Sequence, residues 1–228
     1  MVKNFCNVII QTCFKGKFLF LLISILCLLI FVPIFKGFAG LSILTNIIFT
    51  TTLISGAYAV SKKKHVPLTA IFLATPFFAS MWTGIFLEVP SLVLVGECFG
   101  ILFTGFIVIS ILSFIFGEKE VTSNVIYGAI VVYLLIALMW SFIYSVLEII
   151  QPGSFAISEG QVEVGRPLFI YYSLVTITTL GYGDITPLTA QANSFSSLEA
   201  VIGQIYLVVT VARLVGINIA QSMDKKSD

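Results

Sequence analysis

The sequence predicts an all-α membrane protein with six transmembrane helices, plus a shorter seventh helix that dips in and returns through a glycine-containing loop. Three observations carry that prediction. The chain is 58% hydrophobic and only 10% charged, with a mean hydropathy of +1.09; a soluble domain of this size could not cover so much apolar surface. Six apolar runs reach the roughly 17–25 residues that a helix needs to cross a bilayer. The cations are unevenly divided between the connections, as expected of a multi-pass chain.

The first run, 18–35, follows Lys3, Lys15 and Lys17. Its long charged leader and its poor small-residue cleavage site, close to Pro33 and Lys36, mark it as a retained span rather than a cleaved signal. The second, 38–60, ends at Lys62, Lys63 and Lys64. That triplet reads as a topology signal, with contact to anionic lipid as the sharper alternative. The third, 66–87, stops at the Glu88-Val89-Pro90 break, and the fourth, 91–116, carries Glu97 as its sole charge and precedes Lys119. The fifth, 124–149, leads into a polar loop broken by Pro152, Gly153, Gly160 and Gly165. The short helix 167–178 opens on Pro167, whose missing N–H costs nothing in a first turn. It is too short to cross, so it reads as re-entrant, which is permitted only where protein or water satisfies the backbone. The sixth run, 193–220, precedes Lys225 and Lys226.

Alternating these spans leaves only Lys36 and Arg166 on one face, together with Glu88, Glu148, Glu159, Glu163 and Asp184. The positive-inside rule then places both termini in the cytoplasm, with the short helix dipping in from outside the cell membrane. Two parts are expected: a four-helix membrane domain over 1–120 and a second domain over 121–228. Cys6, Cys13, Cys27 and Cys98 have no metal or redox spacing and read as small apolar filler. No nucleophile, metal cluster or phosphate loop is visible, so neither catalysis nor a cofactor is expected, and nothing points to nucleic acid.

The chemistry concentrates at Thr179-Leu180-Gly181-Tyr182-Gly183, followed by Asp184. A dehydrated cation needs rings of oxygen dipoles along a narrow axis, so successive carbonyls must point the same way. Alternating left- and right-handed backbone achieves that, and Gly181 and Gly183 reach the left-handed region without Cβ strain. Thr179 can add a hydroxyl at the inner mouth, while Tyr182 packs outward. The negative dipole end of the short helix faces the middle of the membrane, where a cation arrives.

Residues 169–184, and the outer helix, re-entrant helix, filter and inner helix around them, resemble the pore region of tetrameric potassium channels. The resemblance covers 121–228 and is nearly absent before. It implies a homotetramer in the lipid bilayer with a central pore, K⁺ as the permeant ion, and Thr179, Leu180, Gly181, Tyr182 and Gly183 as the selectivity filter, with K⁺ at the first four. Tyr171 and Tyr172 stand where the family often has a Trp pair, and Tyr172 is expected to support the filter by donating to Asp184. Val175 replaces a glutamate that some bacterial members place behind the filter.

Gly203 lies twenty residues after Gly183, at the family's usual inner-helix hinge. A mid-helix glycine costs about 1 kcal/mol, so a bend or a close approach is expected there. With that hinge, helical spacing turns Gln204, Leu207, Val211 and Val215 to the cavity. Glu199 is an ionisable group at membrane depth, expected either to brace the filter region or to snorkel. Arg213 near the cytoplasmic end reads as a snorkelling residue or a gate residue, and Glu97 as a buried acid that can modulate gating.

Voltage sensing requires charge that moves through the field, about 2.3 kcal/mol per elementary charge per 100 mV. Span 91–116 contains no Lys or Arg. The expected function is thus passive, potassium-selective conduction without conventional voltage gating. The alternatives are a less selective cation channel on the same fold and a membrane subunit of a K⁺ uptake transporter.

Overall fold

The computed structural model describes residues 17–34, 47, 50–52, 56, 66–83, 89–158 and 165–227. Most of the expected span 38–60 lies outside these residues, as do Lys3, Lys15, Lys36, Lys62, Lys63, Lys64, Glu88, Glu159, Glu163, Cys6 and Cys13.

Six helices and two short strands succeed one another among the described residues: α1 (Lys17–Ile34), α2 (Val66–Thr83), α3 (Pro90–Gly117), α4 (Ser123–Ile150), β1 (Phe155–Ile157), α5 (Arg166–Ile177), β2 (Ile185–Pro187) and α6 (Ala190–Ser227). Their ends have local causes. Pro90 opens α3, where its fixed φ suits a first turn. The Thr122 hydroxyl accepts from Val125 N at 3.4 Å and caps α4. At the far end of α4, the Glu148 carboxylate accepts from Gly153 N and Ser154 N at 2.8 and 3.0 Å, which closes the turn out of the helix. The expected sixth run is extended at both ends, since no proline lies within residues 190–227.

Three of the described helices are long and apolar enough to cross a membrane: Ser91–Gly117, Ser123–Ile150 and Ala190–Met223. Lys17–Ile30 and Thr69–Thr83 are shorter apolar helices. The hub is α4, which packs against α1, α3, α5 and α6, while α2 packs on α3. The core joins Leu21, Ile25 and Leu28 of α1, Ile107, Ile111 and Ile115 of α3, and Val132 and Leu135 of α4. Edge-on aromatic pairs seal it, Phe77 on Phe142 at 5.5 Å among them.

Within this all-helical architecture one short sheet occurs among the described residues. β1 and β2 form an antiparallel pair, Phe155 opposite Pro187 and Ile157 opposite Ile185. Ser158 N donates to Asp184 O (3.0 Å), and Leu188 N to Ser154 O (2.8 Å), beyond its two ends. The strand that follows α4 is therefore paired with the strand that follows α5.

Candidate functional site

α5 has twelve residues, about 18 Å of helix at 1.5 Å per residue, and packs between α4 and α6. Its far end is pinned from both neighbours. Tyr133 of α4 donates to Ile177 O at 3.0 Å. Gly203 of α6 comes so close to Ile177 that a Cβ there would meet Ile177 Cγ1 at 2.5 Å and its carbonyl oxygen at 2.9 Å. α6 runs as one helix through Gly203. A side chain at this position would therefore collide with α5.

Beyond Ile177 the backbone alternates. Thr179, Gly181 and Gly183 have φ of 58°, 60° and 78°, whereas Leu180 and Tyr182 between them stay at negative φ. Thr179 is the only non-glycine residue with positive φ among the described residues; a β-branched side chain pays for that conformation with strain. The amides turn back onto α5: Thr179 N reaches Thr176 O at 2.9 Å, and Leu180 N and Gly181 N reach Val175 O at 3.0 and 3.4 Å. No backbone donor among the described residues engages the carbonyls of Thr179, Leu180, Gly181, Tyr182 or Gly183. The segment lies open on the chain, with Leu180 56% and Tyr182 66% exposed. It is a strand of oxygen acceptors whose first donors are occupied elsewhere.

Asp184 comes next, and its partner differs from expectation. Tyr171 donates to Asp184 Oδ2 at 2.7 Å, whereas Tyr172 pairs with Ser196 Oγ at 2.7 Å inside the protein. Adjacent helical positions point about 100° apart, and the packing of α5 turns Tyr172 toward Tyr144 and Phe155, with ring centroids at 5.0 and 5.3 Å. Tyr171 is left facing the returning loop.

Glu199 is wholly buried and hydrogen-bonds to Tyr144 of α4 and Ser173 of α5, which excludes snorkelling. Glu97 is also buried, 2% exposed, and Arg166 at the start of α5 grips its Oε1 through Nη2 at 2.7 Å and Nε at 3.2 Å. The guanidinium lies against the rings of Phe77 and Phe142, 5.6 and 5.8 Å from their centroids. Arg213 turns inward at the other end of the molecule. Its Nη2 donates to Phe116 O at 2.6 Å, with Glu118 O at 3.5 Å, and its guanidinium lies 4.8 Å from the Phe116 ring. Gln204, Leu207, Val211 and Val215 are all exposed along one side of α6. The stripe Gly203, Tyr206, Thr210 and Arg213 faces inward beside them, with Tyr206 donating to Ala129 O at 2.6 Å.

A family model described as "Ion channel" matches residues 98–219, just over half of the chain, from within α3 through α4, the segment carrying β1, α5 and β2, and most of α6. This chain belongs to the ion-channel family. No curated protein and no solved structure gives a match. In this channel the matched segment holds the Thr179–Gly183 strand, the Glu199 contacts and Arg213, and Glu97 stands at its border. Four contacts are invisible in the sequence: Tyr171 with Asp184, Tyr144 and Ser173 with Glu199, and Tyr133 at the end of α5. Each joins residues that no periodicity relates. A polar side chain inside an apolar helix is the one available signal, and Ser173 and Glu199 carry it.

Proposed function

We propose that this channel conducts K⁺ selectively and passively, as a homotetramer whose four Thr179–Gly183 segments line one central pore. The observation that carries the reading is the alternating backbone from Thr179 to Gly183, with its first amides tied to α5 and its carbonyls unengaged by backbone donors. Four such strands around an axis would offer stacked rings of carbonyls to replace the hydration shell of K⁺. One chain supplies one strand, and the exposure of Leu180 and Tyr182 on the single chain fits a surface that neighbouring copies cover.

In this reading α4 is the outer helix, α5 the re-entrant pore helix and α6 the inner helix of a pore domain over 121–228, against which a four-helix membrane domain over 1–120 packs through α1 and α3. Pinning by Tyr133, Gly203 and the β1–β2 pair holds the filter at a fixed height. Tyr171 supports Asp184 behind it. Gln204, Leu207, Val211 and Val215 line the cavity below, and a bend of α6 near Gly203 is compatible with its packing. The charge distribution favours both termini in the cytoplasm of a cell whose plasma membrane holds the protein.

Voltage does not gate this channel through α3. The helix contains no Lys or Arg, and its one acid is locked to Arg166. No charge is left there to move through the field.

Reversal potentials of the purified protein in liposomes test the proposal, together with its mass in detergent. A tetramer with a strong K⁺ over Na⁺ preference is the expected result. A reversal potential that does not shift when the two cations are exchanged would sink K⁺ selectivity and favour a general cation channel. A stable monomer or dimer would favour the transporter subunit.

A further inference from the structure

Glu199 sits fully buried where α4, α5 and α6 meet, and K⁺ conduction through the filter gives it no task. Its Oε2 is in hydrogen-bond contact with Tyr144 Oη, and its Oε1 with Ser173 Oγ. Ser173 Oγ also lies 2.7 Å from the carbonyl oxygen of Ala137. Three oxygen–oxygen contacts each need one proton between them. Tyr144 and Ser173 bring one hydroxyl proton each, and the carbonyl brings none. The neighbouring hydroxyls cannot lend theirs: Ser196 Oγ donates to Ala192 O at 2.8 Å, which leaves Tyr172 Oη as the donor in its 2.7 Å contact with Ser196. At one proton per contact, the third belongs to the carboxyl group.

The surroundings agree with that count. The titratable groups nearest Glu199 are phenols, Tyr133 and Tyr144 on α4 and Tyr172 on α5. No cation faces it from any element among the described residues, since Arg166 is engaged by Glu97. A buried carboxylate without a cation is among the costliest groups a protein can hold, and it neutralises instead.

We propose that Glu199 is carried as the neutral carboxylic acid and acts as a positioning residue for the filter. It donates to Ser173, accepts from Tyr144, and so fastens α5 to α4 and α6 at once. The positioning role rests on the K⁺-channel reading; the protonation does not. A glutamine offers the same pairing of donor and acceptor, whereas a carboxylate offers acceptors only, so Glu199→Gln separates the two states.

The test compares the full chain in lipid as wild type, Glu199→Gln and Glu199→Ala. Infrared spectra read the protonated carboxyl, and reversal potentials read the K⁺/Na⁺ permeability ratio. We expect a protonated-carboxyl band in the wild type that Glu199→Gln removes, an unchanged ratio in Glu199→Gln, and a ratio at least about tenfold lower in Glu199→Ala. If Glu199→Ala does not assemble, Ser173→Ala and Tyr144→Phe each remove one contact and should each lower the ratio. No band lost in Glu199→Gln would overturn the neutral acid. A Glu199→Gln ratio as low as that of the alanine variant would overturn the proposal as well, and a wild-type ratio in the alanine variant or in both contact variants would overturn the positioning role. A wild type with no K⁺ preference would sink the functional reading and the positioning role with it, while the infrared result would still decide the protonation.

Discussion

Gly203→Ala probes the closest approach that any described glycine of residues 121–228 makes to its surroundings. The added methyl would lie 2.5 Å from Ile177 Cγ1 and 2.9 Å from Ile177 O. The Ile177 side chain can rotate; its carbonyl, held by Tyr133, cannot move unless α5 moves. Overpacking of this kind costs about 1–3 kcal/mol, and the gain in helix propensity offsets about 1 kcal/mol of it. The net cost is then about 0–2 kcal/mol, a factor of up to roughly 30 in the population of the native arrangement. The displacement arrives two residues before Thr179, so we expect the K⁺/Na⁺ permeability ratio to fall while the assembled protein melts only slightly lower. Reversal potentials in bilayers and thermal melts in detergent measure the two effects. Adding Ile177→Ala removes the nearer contact and should recover part of the loss, with a coupling of about 0.5–3 kcal/mol between contacting sites. Unchanged selectivity with a raised melting temperature would refute the packing account and leave only a flexing role for the glycine.

Three further perturbations each act on a single contact. Arg166→Met leaves the buried Glu97 without its cation, a loss of about 3–5 kcal/mol for a fully buried pair and less here because Arg166 is 23% exposed; removing both charges with Glu97→Gln should restore most of the melting temperature. Tyr171→Phe deletes the donor to Asp184 and should cost about 1 kcal/mol or somewhat more, given the charged acceptor, seen as weaker protection of the assembled protein by K⁺ against heat. Arg213→Met frees the last carbonyls of α3, so amide hydrogen exchange at residues 117–122 should quicken while that of α5 stays as it was.

Much of this architecture was legible because local chemistry decides it. Pro90 and Thr122 mark the starts of α3 and α4, and the fifth and short helical segments end within a residue of where apolar periodicity places them. Gly181 and Gly183 announce left-handed backbone. Thr179 does not, because a threonine ordinarily avoids that region, and only its tether to Thr176 reveals the turn. The choice between Tyr171 and Tyr172 depends on the rotation of α5 about its axis, which tertiary packing sets. β1 and β2 are three residues each, too short for alternation to show. The Glu97–Arg166 pair and the Glu199 cluster join positions far apart in sequence, where spacing is silent. Gly203 was legible as a special position, but which purpose it serves required the position of Ile177.

The Arg213 contact has a mechanical consequence. The carbonyls of Phe116 and Glu118 rest on a cation carried by α6, and Val121 N leans on Gln221 Oε1 of the same helix at 3.2 Å. The turn joining α3 to α4 is therefore a bearing seated on α6 and not a free connector. If the lower part of α6 swings outward, it must drag the end of α3 along or give up these three polar contacts. A force applied to α3 by the bilayer travels back along the same seat, from a helix without a single basic residue.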